Sequence, residues 1–543
     1  MPSGKFPAFL DIPGTTSLHR AVLNSFEDVA DYFGPGLDDS QNISRLIQRL
    51  QQRDYQRDAL ADLLEDYVSE LNAPDCAKHQ VKELRRNNSV VVFAGQQPGL
   101  FGGPLYSIYK ALTAEHWARA MSVEYGITVI PCFWLAADDH DFAEVNHINL
   151  LSNGSIKTIQ DRPELIGMNR PIGAICLDDK IEHYLDELAG YLPDNEFKQQ
   201  VMATLRECYQ PGVSYPVAFA RLWYAMFPQS RLLFVPSMHK EIKKLAQPLM
   251  QKAILEHHQL FDLLESTNFR LQNAGYDRQV HKKRSQSFLF YQKNSRYKVS
   301  VNSDCNFSWA DNLPVNSETL SALLAANPQD FSGNVLLNPI IQNGLFPTLG
   351  VVLGPSEIGY YAQIGQLFDD FNVPRPVVMP RISLTLIEPH VRERLKKLSV
   401  DLEMLRVDHE RELARVLAMR YPEEFNAAFE STAQMIEKTF LELSPMAMGI
   451  DPTLEKSLNY SRDRAVKELN KFKNKVGRFH NRTQKEIETQ IRALALQLFP
   501  DRNLQERSFN IIQYWARYGP DFLVRLYDQW PINDRQHLLT EIY

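Results

Sequence analysis

Short apolar runs alternate with longer amphipathic stretches through the middle of the chain. Residues 90–93 are four apolar side chains in a row, running into Gly95-Gln96-Gln97-Pro98-Gly99; Gly102-Gly103 follows, and Pro104 opens a helical pattern. That order predicts a buried strand, a glycine-rich turn and a helix start. Further strands are predicted at residues 127–135, 232–235, 349–353 and 377–379, the third and fifth ended by Pro236 and Pro380. Helices are predicted from Glu241 and over 358–368. Apolar strands alternating with helices predict an α/β fold with a parallel sheet of Rossmann type over residues 89–387. Insertions at about 152–228 and 269–331 interrupt the alternation and are expected to be lids or substrate-binding subdomains.

The flanks read differently. Leu46, Leu50, Leu60, Leu63, Leu64, Val68 and Leu71 recur at helical intervals, which predicts a helical lead-in within residues 1–88. Residues 390–420 are highly charged, with Val391, Leu395, Leu398, Leu402 and Leu405 on one stripe. Beyond a proline-bounded break at 445–452, Leu469, Phe472, Val476, Phe479, Thr483, Ile487, Ile491, Leu494 and Leu498 follow in steps of three and four. This seam predicts a long antiparallel α-helical coiled-coil hairpin over 388–500, with apolar faces left over for a homodimer. Residues 501–543 carry Trp515, Tyr518, Phe522, Leu526 and Trp530, so they are expected to fold back on the core.

Composition narrows the function classes. A chain of 543 residues needs more than one core, and its net charge of −7 argues against general nucleic-acid or acidic-membrane binding. The longest apolar run, 127–137, is too short to span a bilayer. Residues 1–13 lack the pattern of a secretory signal. The five cysteines are scattered, with no C-x-x-C, which suits a reducing cytoplasm and offers neither a disulfide framework nor a zinc ribbon.

Three segments carry candidate chemistry. The glycine turn at 95–103 matches neither the dinucleotide nor the P-loop spacing, yet a strand–turn–helix junction brings backbone N–H groups close to an anion. The alternative is that its glycines only let strand and helix pack tightly. The second strand ends in Asp138-Asp139-His140-Asp141, with Glu144 and His147 beyond. Carboxylates around an imidazole at the carboxyl end of a parallel strand suit general base work. Metal binding competes, without diagnostic ligand spacing, as does a solvated turn with Asp139 or Asp141 as N-cap. In the turn Gly354-Pro355-Ser356-Glu357, Glu357 either complements the helix dipole or binds an ammonium or hydroxyl; Tyr360 would line a pocket or join the core. Arg381 and Ser383 offer a cation and a hydroxyl at the same edge, or a structural salt bridge. Lys110 and the basic run 281–284 stay ambiguous.

Taken in order, these motifs resemble the bacillithiol biosynthesis cysteine-adding enzymes. The shared elements are the loop from Gly95 to Tyr106, the segment from Phe133 through Trp134 to His147, and Gly275 to His281. Gly354 to Tyr360, Pro380 to Ser383 and Ala516 to Asp521 complete the set. The resemblance spans essentially the whole chain. It implies a Rossmann-type core with connecting-peptide insertions, a coiled coil promoting dimers, and addition of L-cysteine to glucosaminyl malate, the last step of bacillithiol synthesis. Ser356 stands where the family pattern has glycine, and Asn338 where it has arginine.

The expected catalytic residues are Asp139, His140 and Asp141, which would orient and deprotonate an attacking amine. The expected binding residues are Gly95, Gln96, Gln97, Gly99, Gly102, Gly103, Tyr106, Trp134, His147, Gly354, Ser356, Glu357, Tyr360, Arg381 and Ser383. Gln96 and Gln97 would donate to developing oxyanion charge. ATP or ADP is the expected activator, and no metal is expected. Alternatives are an adenylate-forming or nucleotidyl-transferring enzyme acting on another small acid, and a non-catalytic coiled-coil scaffold.

Overall fold

A computed structural model describes residues 3–5, 15–162, 169–293, 295–419, 424–532 and 535–542. Most of the opening stretch read for a signal pattern lies outside them, as does Arg420 at the end of the charged segment. The chain divides into two compact units: Met1–Leu386 with Leu504–Tyr543, and Ile387–Asn503.

The first unit is built on five strands, β1 (Ser89–Gln96), β2 (Thr128–Leu135), β3 (Leu233–Pro236), β4 (Thr348–Leu353) and β5 (Val377–Pro380). Each contains or overlaps one of the five apolar runs. They lie in the order β5-β4-β1-β2-β3 with every neighbouring pair parallel. Continuous rather than alternating apolar sequence is what a sheet covered on both faces requires. Helix α1 (Leu105–Tyr125) follows β1, α2 (Lys240–Leu255) follows β3, and α3 (Pro355–Gln363) follows β4. From β1 the chain winds outward through β2 to β3, then returns to β4 on the other side of β1. The order therefore reverses between β1 and β4, and such a switch point opens a crevice at the strands' carboxyl ends.

The helices before β1 belong to the same unit. Buried Arg57, on the helix Arg57–Glu70, donates to Leu84 O, Ser89 Oγ and Ser89 O, each at 3.0 Å, and so ties that helix to the start of β1. The first insertion opens with an antiparallel hairpin, His147–Ser152 with Ser155–Gln160. It closes with the helix Tyr215–Met226, whose Phe219 packs on Phe133 and Phe234 with ring centroids 5.8 and 6.1 Å apart. The second insertion holds an antiparallel sheet containing Gln286–Tyr291, Tyr297–Val301 and Phe307–Ser308, extended by Phe331–Gly333. Residues 504–543 return to this unit, where Leu538–Thr540 pair antiparallel with Ser3–Lys5.

In the second unit, α4 (Glu424–Ile450) and α5 (Glu455–Leu498) form an antiparallel pair, with Phe429 facing Phe472 at 5.8 Å and Lys473 reaching Glu430 at 3.9 Å. Two details differ from the sequence reading. The charged stretch folds as three short helices, Pro389–Leu398, Leu402–Val407 and His409–Ala418. Left-handed Ser399 ends the first, and Asp401 and Asp408 cap the next two through their carboxylates. The break expected from Pro445 falls later, at Asp451, whose side chain accepts from Thr453 N–H. A proline deletes one helical hydrogen bond, and the turns on either side carry α4 through.

Candidate active site

The crevice at the switch point is a cleft of about 250 Å³. Gly95, Gln96 and Gln97 line it from the end of β1, and Trp134 and Asp139 from the end of β2 and its loop. Glu357 and Tyr360 line it from α3. The distant glycine-framed bends and the acidic loop thus meet at one place. Asp138, Asn338, Tyr361 and Arg296 also line it. Asn338 is the position at which the resemblance calls for arginine.

Charge in this cleft comes in opposed pairs. Lys110 on α1 is buried and ion-pairs with Glu357; its ammonium also donates to Gly95 O and Gln96 Oε1, both at 2.9 Å. Burial lowers the Lys110 pKa, against the opposing pull of Glu357. Glu357 in turn accepts from Gly354 N–H at 2.8 Å, closing the first turn of α3. Burial pushes the Asp138 carboxyl up, but Lys243 on α2, with Ser237 and Gln292, holds it below its ordinary value. Asp139 accepts from Gln97 Nε2 through Oδ2 at 2.8 Å, and through Oδ1 from its neighbour's backbone His140 N–H at 2.7 Å and Arg296 Nη1 at 2.8 Å. His140 Nδ1 is 3.3 Å from both Asp139 Oδ1 and Arg296 Nη1. Burial, together with Asp141 and Asp139, raises the Glu144 pKa against a hydrogen bond from Gln97.

Other expected site residues lie outside the cleft lining. Gly99, Gly102 and Gly103 are packed into the core: Gly102 N–H donates to Tyr209 OH at 3.1 Å, and Asn510 Nδ2 donates to Phe101 O and Gly103 O at 2.9 and 2.6 Å. Their backbone is engaged by protein groups, and of the loop 95–103 it is Gly95, Gln96 and Gln97 that line the cleft. Tyr106 OH receives Gln96 Nε2 at 3.4 Å. Asp141 is exposed and makes no side-chain cap for the turn Phe142–Glu144. His147 opens the first insertion's hairpin beside Asn146 Oδ1, and Ser356 is exposed on α3. Arg381 and Ser383 are committed to structure, both bonded to buried Glu506, and Ser383 also meets His537 Nδ1 at 2.8 Å.

Arg296, Gln292 and Lys243 went unrecognised in the sequence. They stand in ordinary polar surroundings more than a hundred residues beyond the aspartates they touch, so no local spacing marks them. Among the described residues no three His, Cys, Asp or Glu side chains gather as a metal site.

Comparison with known proteins agrees with this architecture. Residues 8–382 match the family described as "Bacillithiol biosynthesis BshC, N-terminal Rossmann-like domain", and residues 384–542 match its "C-terminal coiled-coil domain". A Salinibacter ruber protein named "Putative cysteine ligase BshC" is 30% identical over 448 residues, 82% of each chain. A Koribacter versatilis protein of the same name is 29% identical over 528 residues, 95% of this chain and 96% of its own.

Proposed function

The chain belongs to the bacillithiol biosynthesis BshC family, and on that premise we propose that it is a cysteine ligase, joining L-cysteine to glucosaminyl malate through an amide bond. The names of its relatives support the reaction class. The observation that carries the site assignment is the convergence of Gln96, Gln97, Asp139 and Glu357 on one cleft at the switch point, with His140 outside the lining but 3.3 Å from Asp139 and Arg296.

Amide formation needs a neutral amine and a carboxyl group whose oxygen can leave. In the proposed reaction His140 Nδ1 carries its proton toward Asp139 Oδ1, 3.3 Å away, instead of accepting from Arg296 Nη1 at the same distance, and Nε2 is then the nitrogen that takes the proton of the attacking amine, a group titrating at about 8. Asp141, exposed on the same turn, is assigned to orienting the amine. Gln96 lines the cleft at the carboxyl end of β1 and is the amide we assign to the tetrahedral oxyanion, while Gln97, whose amide is engaged by Asp139 and Glu144, positions those carboxylates. The lining does not fit the polyphosphate of ATP or ADP: with Lys110 and Lys243 taken up by Glu357 and Asp138, the guanidinium of Arg296, itself shared with Asp139, is among the described residues the one lining cation left for several phosphate charges, so no nucleotide step is placed in this cleft. We place the protein in the reducing cytoplasm, in keeping with its free cysteines, as a homodimer through its helical hairpin.

The test is a coupled assay with purified protein, L-cysteine, glucosaminyl malate and a panel of nucleotides, reading the product thiol by mass. Product should form, and His140→Ala should lower turnover well over tenfold. Absence of product with every nucleotide would end the ligase reading, and near-normal turnover of the variant would end the base assignment.

A further inference from the structure

The second insertion reaches the cleft through one side chain that the proposed mechanism does not use. Arg296 lies just before the strand Tyr297–Val301, in the connection from Gln286–Tyr291. It is 8% exposed, with its guanidinium laid over the Phe290 ring at 3.8 Å from the centroid. One nitrogen, Nη1, holds Asp139. Another, Nε, is buried without a hydrogen-bond partner among the described residues. Gln292, from the same connection and 7% exposed, donates to Asp138 Oδ1 at 3.1 Å, and its Oε1 is likewise buried without a partner. A buried guanidinium with unmet hydrogen-bonding capacity costs stability, and Arg296 meets a ligand through the part of its side chain that lines the cleft. The carboxylate opposite Arg296 is Asp139, whose side chain is 40% exposed and shared with Gln97 and the His140 backbone, so it compensates that charge incompletely.

What such a group can take follows from the rest of the wall. Lys110 and Lys243 are consumed by Glu357 and Asp138, leaving Arg296 as the lining cation for an incoming acid. Planar guanidinium matches planar carboxylate, and the aromatic ring beneath it fixes its plane. The cleft volume of about 250 Å³ is below the roughly 300–1,000 Å³ of pockets for drug-sized ligands, which favours one small acid. The half-exposed Asp139 carboxylate beside it suits an ammonium on the same molecule.

We propose that Arg296 binds the carboxylate of a free amino acid in this cleft and presents it beside His140. The proposal rests on the ligase reading for the identity of that amino acid, L-cysteine; the carboxylate subsite itself does not. Its location also gives the second insertion a function, since this connection supplies the acid-binding group to a catalytic loop carried by the Rossmann sheet.

Binding is measured by calorimetry on the full-length protein, under reductant and without nucleotide or second substrate, so that turnover is not needed. The probes are L-cysteine, cysteamine (the same molecule without its carboxylate) and L-malate. L-cysteine should bind, cysteamine at least tenfold more weakly, and Arg296→Met should lose at least tenfold for L-cysteine while keeping the wild-type melting temperature within a few degrees. Arg296→Lys, which keeps the charge and loses the fork, should fall between. Equal L-cysteine affinity in wild type and Arg296→Met, or equal affinity for cysteine and cysteamine, overturns the proposal and leaves the ligase reading standing. Arg296-dependent binding of L-malate with no binding of L-cysteine upholds the carboxylate subsite and removes cysteine as its ligand. If neither carboxylate binds wild type, the subsite is refuted.

Discussion

A lysine ammonium has three hydrogens, and Lys110 spends them on Gly95 O, Gln96 Oε1 and Glu357. Holding the oxygen of the Gln96 amide turns its nitrogen toward Tyr106 and the cleft. Lys110→Met should release that orientation and strand a carboxylate, at a stability cost of about 3–5 kcal/mol if Glu357 stays charged. Steady-state kinetics should show kcat falling at least tenfold, more than in a variant of equal thermal stability altered elsewhere; a matched loss would make Lys110 purely structural. His537 yields a prediction about acid. Burial holds its imidazole down at about 4 in the folded protein, against an unfolded value of about 6.5. Between those values the unfolded chain binds the extra proton, so stability rises with pH there. This contribution is complete above about pH 6.5 and is lost as pH falls toward 4; His19, also held at about 4 by burial, adds in the same window. Melting temperatures from pH 7 to 4 should fall less steeply for His537→Gln than for wild type, and identical slopes would dismiss the assignment. Sequence alone showed the acidic imidazole cluster at 138–141, because it is contiguous. It did not show Arg296, because only the fold brings residue 296 to residue 139.

At the scale of elements, the glycine loop after β1 is held by the chain's far end. Gly102 and Gly103 have φ of +87° and +68°, the left-handed region where a side chain is strained, and Phe101 joins them at +47°. Gly102→Ala should therefore lower stability by about 1–2 kcal/mol from backbone strain. Asn510→Leu removes the amide that satisfies Phe101 O and Gly103 O and should cost about 1–3 kcal/mol for the buried carbonyls left behind. Differential scanning fluorimetry checks both, and an unchanged melting temperature for Asn510→Leu would mean that water replaces the amide. Strands β1 to β5 were legible because continuous apolar runs, ended by Gly or Pro in four cases and by Asp138 after β2, have few other uses in such a chain. The contents of the insertions were not, since their strands are short and half-polar, with pairing set by tertiary contact. Proline 445 misled because a helix as long as α4 survives the loss of one bond.

At the scale of the molecule, the helical hairpin leaves apolar side chains in solvent. Met435, Met446, Tyr460 and Phe479 are all more than 60% exposed, beyond what the α4–α5 seam covers. Sedimentation should show a dimer that Phe479→Glu or Met435→Glu shifts toward monomer; monodisperse monomer in wild type at micromolar concentration would reject that assembly. The first unit, by contrast, is closed by residues from both ends of the sequence: Glu506 neutralises Arg381, Asn510 secures the glycine loop, and strand 538–540 pairs with Ser3–Lys5. A ribosome making this protein therefore finishes the five-stranded sheet early and must hold it unsealed while the more than a hundred residues of the second unit emerge. Until release, nascent chains should expose that seam to chaperones and proteases, and a premature stop codon between residues 387 and 505 should leave a product that is degraded rather than a shortened enzyme.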